Sequence, residues 1–339
     1  MRHKTDGTIQ KDLDDGIDTI GKKMTVCQLY AKQIRHRGNV RYNTKNGRKR
    51  LMKLLEEDKL GGCPIDSVKL SDAKEWAIRM KEKGISYKTI SNDKRSLKAA
   101  FYTAIQDDCI RKNPFDFQLN TVIEDDTEPK VPLTPAQEES FLSFAQNDKV
   151  YQKYYDELII LLGTGFRISE LCGLTDTDID FENRIINVDH QLLRSAETGY
   201  YIETPKTKSG IRQIPMSEKV YEAFNRVLKR RRGAKAVTID GYSNFLFLNR
   251  DGYPKTATNY DGMFRGLAKK YNKYHEEALP KVMTPHTLRH TFCTNMANAG
   301  MNPKALQYIM GHSNITMTLD YYAHATFDSA KAEMLRIAA

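Results

Sequence analysis

The chain has 339 residues, room for about two domains of ordinary size, and its 40% hydrophobic share can supply their cores. Charged residues make up 28%, no apolar run is long enough to span a bilayer, and no basic-then-apolar segment stands at the start of the sequence; neither a membrane span nor secretion is expected, and the cytosol is. The net charge of +10 attracts phosphate polyanions, although ribosome binding or anionic-membrane contact would use the same excess.

Five cysteines (Cys27, Cys63, Cys109, Cys172 and Cys293) are scattered and form no CxxC pair, so neither a zinc ribbon nor a disulfide framework is suggested. Residues 1–23 hold a short acidic patch, KDLDDGID, and read as a connector. From Met24 the pattern turns helical, with TVCQLYAKQIR and GRKRLMKLLEEDKL, and GGCP interrupts it. A further helix, SDAKEWAIRMKEK, is opened by Ser71 and closed by Gly84. The next, SYKTISNDKRSLKAAFYTAIQDD, is ended by Asn113-Pro114. These elements make a helical front domain over 24–117. Residues 118–132, QLNTVIEDDTEPKVP, lack periodicity and read as a linker.

A second domain over 133–326 restarts with Thr134 as cap and Pro135 in the first turn. YYDELIILLGTGF reads as a buried helix, and RIINVDHQ, YYIETPK, IRQIPM and FLFLNRDGYP as strands. EKVYEAFNRVLKRRR is amphipathic, and from His286 onward the pattern is helical, broken at Gly300 and Gly311. The tail, 327–339, is amphipathic and helical. The expected fold is multidomain: an all-α domain followed by a mixed α+β domain with a small sheet.

Chemistry-bearing residues gather in TGFRISEL around Arg167, ETPKTKSGIRQIP around Lys206, TPHTLRHTF around His286 and Arg289, and MGHSNITMTLDYYAH. Each alone has a blander use, as a helix cap, a solvated turn or a packed aromatic pair. His286 and His290 share the spacing of an HExxH zinc helix, but Thr287 stands where the glutamate base is needed, so a zinc site is rejected.

The order Arg, Lys on a hairpin, His-x-x-Arg, Gly-His and then Tyr resembles the tyrosine recombinase (phage integrase) family. The closest likeness is to integrases of conjugative transposons. The resemblance covers 133–326 and, more loosely, the front domain, which is similar to that family's core-binding domain. It implies a C-shaped clamp around DNA and cleavage by a tyrosine through a 3′-phosphotyrosyl intermediate, with no metal or ATP.

In that reading Arg167 and Arg289 clamp the phosphate, since two guanidinium forks suit the extra charge of a phosphorane. His286 does acid/base work, His312 bonds the scissile phosphate, and Glu170 orients the site. Lys206, preferred to Lys208, protonates the leaving 5′ oxygen. Tyr322 is taken as nucleophile because Tyr322-Ala323-His324 fits a Tyr-x-His form; Tyr321, one residue nearer the Gly-His pair, is the alternative.

Lys94, Arg95 and Lys98 on one helix, with Lys208 and Arg212, are expected to grip DNA. The resemblance further implies a tetramer holding two duplexes, element ends and a target site as substrates, and an accessory excisionase or DNA-bending protein. It also implies a tail that packs on a neighbouring subunit, and an arm-binding domain that residues 1–23 are too short to supply. Competing readings are a type IB topoisomerase, disfavoured by the helical front domain, the Gly-His pair and the short tail, and a non-catalytic DNA-binding protein, disfavoured by the full set of reactive residues.

Overall fold

The computed structural model describes residues 21–38, 40–128, 131–231, 237–322 and 334–335. The chain divides into two units, one ending at Pro129 and the other starting at Lys130, each with its own core. Residues 1–20 of the opening connector and nearly all of the tail expected to be helical lie outside the described residues; Gly21–Lys23 form a 3₁₀ turn.

The first unit is built on helices α1 (Val26–His36), α2 (Tyr42–Glu56), α3 (Leu70–Glu82) and α4 (Tyr87–Gln106). Thr25 caps α1 through a reciprocal pair: its hydroxyl accepts from the Gln28 amide, and the Gln28 side chain accepts from its own. The GGCP turn lies tight on the end of α2. A Cβ on Gly61 would fall 2.0 Å from the Leu55 carbonyl oxygen, so only glycine fits there.

Three boundaries differ from the sequence reading. Helix α3 is capped at Lys69, not Ser71, because the Asp72 carboxylate accepts the Lys69 amide at 2.8 Å and draws the start two residues earlier. Helix α4 stops at Gln106, with Asp108 in the left-handed region. Asn113 lies beyond it in a side-chain-bonded turn that delivers Phe115 into the core against Trp76, 5.8 Å between ring centroids. The segment expected to be linker begins with a 3₁₀ turn, Leu119–Thr121, and Leu119 and Ile123 are buried in the helical core.

The second unit opens with α5 (Pro135–Asn147), capped by Thr134 and started by Pro135. The apolar α6 (Tyr155–Thr164) runs through the core, and a short α7 (Ile168–Gly173) follows. Strands β1 (Ile179–Asp180), β2 (Ile185–Val188), β3 (Gln191–Ser195), β4 (Gly199–Glu203) and β5 (Arg212–Pro215) form two small antiparallel sheets, ordered β1-β2-β5 and β3-β4. Ile186 faces Ile214 in the first sheet and Leu193 faces Tyr201 in the second.

Helices α8 (Glu218–Arg231), α9 (Ala257–Tyr274), α10 (Pro285–Asn298), α11 (Pro303–Met310) and the single turn α12 (Thr316–Leu319) complete the unit. FLFLNRDGYP is not a strand; it makes only isolated bridges, Thr175 to Phe245 and Leu248 to Pro254. Strands β1 and β3 and helices α7 and α9 were not expected. In α9, Gly266 lowers helix propensity but admits Tyr151, whose hydroxyl would lie 2.7 Å from a Cβ there. No helix among the described residues is long and apolar enough to cross a membrane.

Candidate active site

Gly165 ends α6 in the left-handed conformation, with φ of 64°, and a Cβ there would meet the Phe292 ring at 2.5 Å. That turn leaves Arg167 as the cap residue of α7, its backbone amide on Glu170 Oε2 at 2.9 Å and its Nη1 on Glu170 Oε1 at 2.8 Å. Arg167 Nη2 crosses to the Gly311 carbonyl at 3.0 Å. From α10, Arg289 Nη1 donates to the Gly165 carbonyl at 2.5 Å and Nη2 to that of Met310. Arg212, at the start of β5, donates through Nε to the Ile309 carbonyl at 2.6 Å.

Three consecutive carbonyls at the end of α11, those of Ile309, Met310 and Gly311, thus each take a different guanidinium. These groups would otherwise be the unpaired, partly negative end of a helix, so the arrangement satisfies acceptors and holds three positive charges together. His312 follows directly. Its Nδ1 lies 2.9 Å from the Thr318 hydroxyl, and its amide bonds the Gln307 carbonyl.

The charges set the protonation states. Burial would raise the Glu170 carboxyl, but the Arg212 hydrogen bonds and the charges of Arg212, Arg167 and Arg289 outweigh it and hold the group at about 2. Burial, then the like charge of Arg167, lowers Arg289 to about 9, so it stays cationic at neutral pH. Burial, then Arg289 and Arg167, lowers His312 to about 4; its imidazole is neutral and offers one ring nitrogen beyond the bond to Thr318.

The two tyrosines part company. Tyr321 sets its hydroxyl 2.5 Å from His290 Nδ1, and burial pushes the phenol up to about 12. Tyr322 donates to the Met301 carbonyl at 2.5 Å, and both rings pack on the cluster of Phe292, Cys293, Leu306 and Met310. His286 is exposed one turn before His290, with ring centroids 5.5 Å apart. His290 had no assigned role in the sequence; its signal was the four-residue spacing from His286, which was weighed only as a metal motif.

Lys206 and Lys208 are exposed on the 204–211 connection, which is not the hairpin expected between YYIETPK and IRQIPM, because β4 and β5 lie in different sheets. Arg212 is not on a DNA-facing surface: its side chain is 0% exposed and pairs with Glu170. In the helical unit Arg95 is exposed, Lys94 lies 4.4 Å over the Phe117 ring, and Lys98 pairs with Asp116 at 2.5 Å. Asp178, Asp189 and His190 bring possible metal-binding atoms together, but His190 already has Asp189 at 2.5 Å on one nitrogen and the Gly173 carbonyl at 2.8 Å on the other.

Two guanidinium forks, a neutral imidazole and a phenol bonded to a histidine make a site for a phosphodiester and an oxygen nucleophile. Residues 132–329 match the model of the phage integrase family. The transposase from transposon Tn916 of Enterococcus faecalis is 68% identical over 329 residues, covering 97% of this chain and 81% of that protein. The Tn1549 transposon integrase, solved in complex with a circular-intermediate DNA, has a TM-score of 0.88 at 78% identity, covering 93% of this chain and 99% of that one. Solved with transposon right-end DNA, it again gives 0.88 and 78%, covering 93% and 100%. The chain belongs to the phage integrase family, the tyrosine recombinases.

Proposed function

We propose that this recombinase excises and integrates a mobile element of the conjugative-transposon kind, cutting each strand through a 3′-phosphotyrosyl intermediate. The observation that carries the reading is the convergence of Arg167, Arg289 and His312 at the end of α11, with a histidine-bonded tyrosine on the turn that follows. The solved DNA complexes of the Tn1549 integrase and the likeness to the Tn916 transposase support the substrate class.

Tyr321 is the nucleophile in this reading. Its hydroxyl lies against a histidine ring nitrogen, a group able to take its proton in one tautomer, whereas that of Tyr322 is given to a backbone carbonyl. The arginine-to-lysine and tyrosine-to-phenylalanine substitutions carried by the Tn1549 integrase structures stand as far apart as Arg167 and Tyr321, one residue less than Arg167 and Tyr322. The preference for Tyr322 drawn from the Tyr-x-His form is therefore reversed.

The Tyr321 oxygen attacks phosphorus and its proton passes to the histidine pair, His290 in contact and His286 one turn away. The bond to the 5′ oxygen breaks, and that oxygen takes a proton from Lys206, with Lys208 as the alternative donor. Arg167 and Arg289 stabilise the crowded, doubly charged phosphorane, and neutral His312 bonds one of its oxygens. Glu170 orients Arg167. Bond energy is kept in the phosphotyrosine, so neither ATP nor metal enters the cycle. Arg95, Lys94, Lys98 and Lys208 contact the DNA backbone. The enzyme works on element ends and a target site in the bacterial cytosol, as a tetramer, with an accessory excisionase or bending protein in excision.

A duplex nicked near the element end, which traps cleavage, tests this. Wild type and Tyr322→Phe should give a covalent protein–DNA adduct and Tyr321→Phe none. An adduct that survives Tyr321→Phe and vanishes in Tyr322→Phe moves the nucleophile; no adduct from wild type on DNA it binds rejects the cleavage reading.

A further inference from the structure

We infer that Arg212 is a positioning residue for strand cleavage, holding Glu170 so that the charge of Arg167 stays directed at the scissile phosphate. The inference rests on the recombinase reading above. Arg212 has a fully buried side chain whose bonds run inward to three segments of the site. Nη1 and Nη2 donate to the two Glu170 oxygens at 3.1 and 2.9 Å, Nη1 also to the Gly210 carbonyl at 3.0 Å, and Nε to the Ile309 carbonyl at 2.6 Å.

Each partner leads to a reacting group. Glu170 accepts both the backbone amide and Nη1 of Arg167. Gly210 closes the connection that bears Lys206 and Lys208. Ile309 leads through Met310 and Gly311 into His312. The segments meet with no slack at Gly311, where a Cβ would lie 3.0 Å from the Ser209 carbonyl oxygen and 3.1 Å from Arg212 Nη1.

Charge gives the reason a guanidinium belongs there. Glu170 is 3% exposed and cannot turn to water for a partner. Facing Arg167 without Arg212, it would draw that fork inward and cancel the charge meant for the phosphorane. Arg212 takes a bidentate share of the carboxylate, so Arg167 and Arg289 together keep two positive charges for the phosphate. Lysine could supply the charge but not the planar fork that reaches carboxylate and carbonyls at once.

The test compares wild type, Arg212→Met, Arg212→Lys, Glu170→Gln and the Arg212→Met/Glu170→Gln pair, on the nicked element-end duplex. Duplex affinity, single-turnover adduct rate at saturating DNA and thermal midpoint are read for each. Arg212→Met should lower the saturating rate by roughly 100-fold, the scale expected of a misplaced catalytic group, and leave affinity within about threefold. Arg212→Lys should recover part of the rate, and Glu170→Gln should cost less in the Arg212→Met background than in wild type. An unchanged rate, independent effects of the two substitutions, or lost affinity at unchanged saturating rate, as for an ordinary DNA contact, would each overturn the inference.

If wild type forms no adduct on DNA it binds, the cleavage reading fails and the thermal midpoint judges Arg212 by itself. Glu170→Gln should then lower the midpoint of wild type but raise that of Arg212→Met; a fall in both contradicts the charge pairing. Should Arg212→Met not fold, Arg212→Lys with and without Glu170→Gln carries the same comparison.

Discussion

A neutral His312 beside two cationic guanidiniums has a consequence for stability. The unfolded imidazole takes up its proton near pH 6.5, the folded one only near 4. Between those values the unfolded chain binds more protons, so stability falls as the pH is lowered through that window. Glu170, held at about 2 against an ordinary value of 4.5, extends the loss below pH 4.5. Thermal midpoints measured across pH should decline from about 6.5 downward, and His312→Gln should flatten the upper part of the decline. An unchanged slope in that variant would show that another group titrates there.

The basic residues of α4 differ in the same local way. Lys98 is already engaged by Asp116, whereas Arg95 is exposed, so Arg95→Ala should weaken duplex binding more than Lys98→Ala in an anisotropy titration. Most residues of the proposed site were legible because a rare residue order points to them: Arg167, Glu170, His286, Arg289 and His312 can be proposed without geometry. The choice between Tyr321 and Tyr322 was not legible, since the two are adjacent in sequence and it is their hydroxyl partners, His290 and Met301, that distinguish them. Arg212 looked like surface charge because sequence does not show that β5 starts beneath Glu170.

The end of α11 is the element on which the site is assembled. Gly311 gives the left-handed turn, φ 62°, that exposes its last carbonyls to three arginines. Gly311→Ala combines an unfavourable backbone with a Cβ pressed on Ser209 and Arg212, and should cost about 1–3 kcal/mol in denaturant unfolding and lower the adduct rate. In the other unit Gly61→Ala should destabilise by about as much or more, because its Cβ would fall 2.0 Å from the Leu55 carbonyl oxygen, a deeper backbone clash than the 3.0 Å approach to Ser209. A midpoint equal to wild type in either variant would contradict the packing described.

Helices with an apolar stripe and a cap signal, such as α1, α4 and α5, could be read from the sequence. Helix α9 could not, because Gly262 and Gly266 lower its intrinsic propensity and tertiary packing pays the difference. The start of α3 was misplaced because Ser71 has the commoner capping side chain, whereas Asp72, three residues past Lys69, makes the bond. The 204–211 connection read as a hairpin because nothing local shows that β4 and β5 belong to different sheets.

At the scale of the molecule, two cores and a positive net charge are the properties that matter. Trp76, the chain's single tryptophan, is buried in the core of the helical unit, so tryptophan fluorescence follows the unfolding of that unit alone. Far-ultraviolet circular dichroism follows both units, and the two signals should show different midpoints in urea; coincident transitions would indicate one cooperative block. With a net charge of +10, duplex affinity should fall steeply and log-linearly with salt. An affinity insensitive to salt would count against a grip made mainly on phosphates.

The most direct test of the account is to recover the DNA-linked peptide from wild-type adduct formed on the nicked duplex and to locate the attached nucleotide by tandem mass spectrometry. The expected result is a 3′-phosphodeoxynucleotide on Tyr321, with a free 5′ hydroxyl on the released strand. Attachment at Tyr322, linkage through a 5′ phosphate, or a modified residue outside this turn would contradict it.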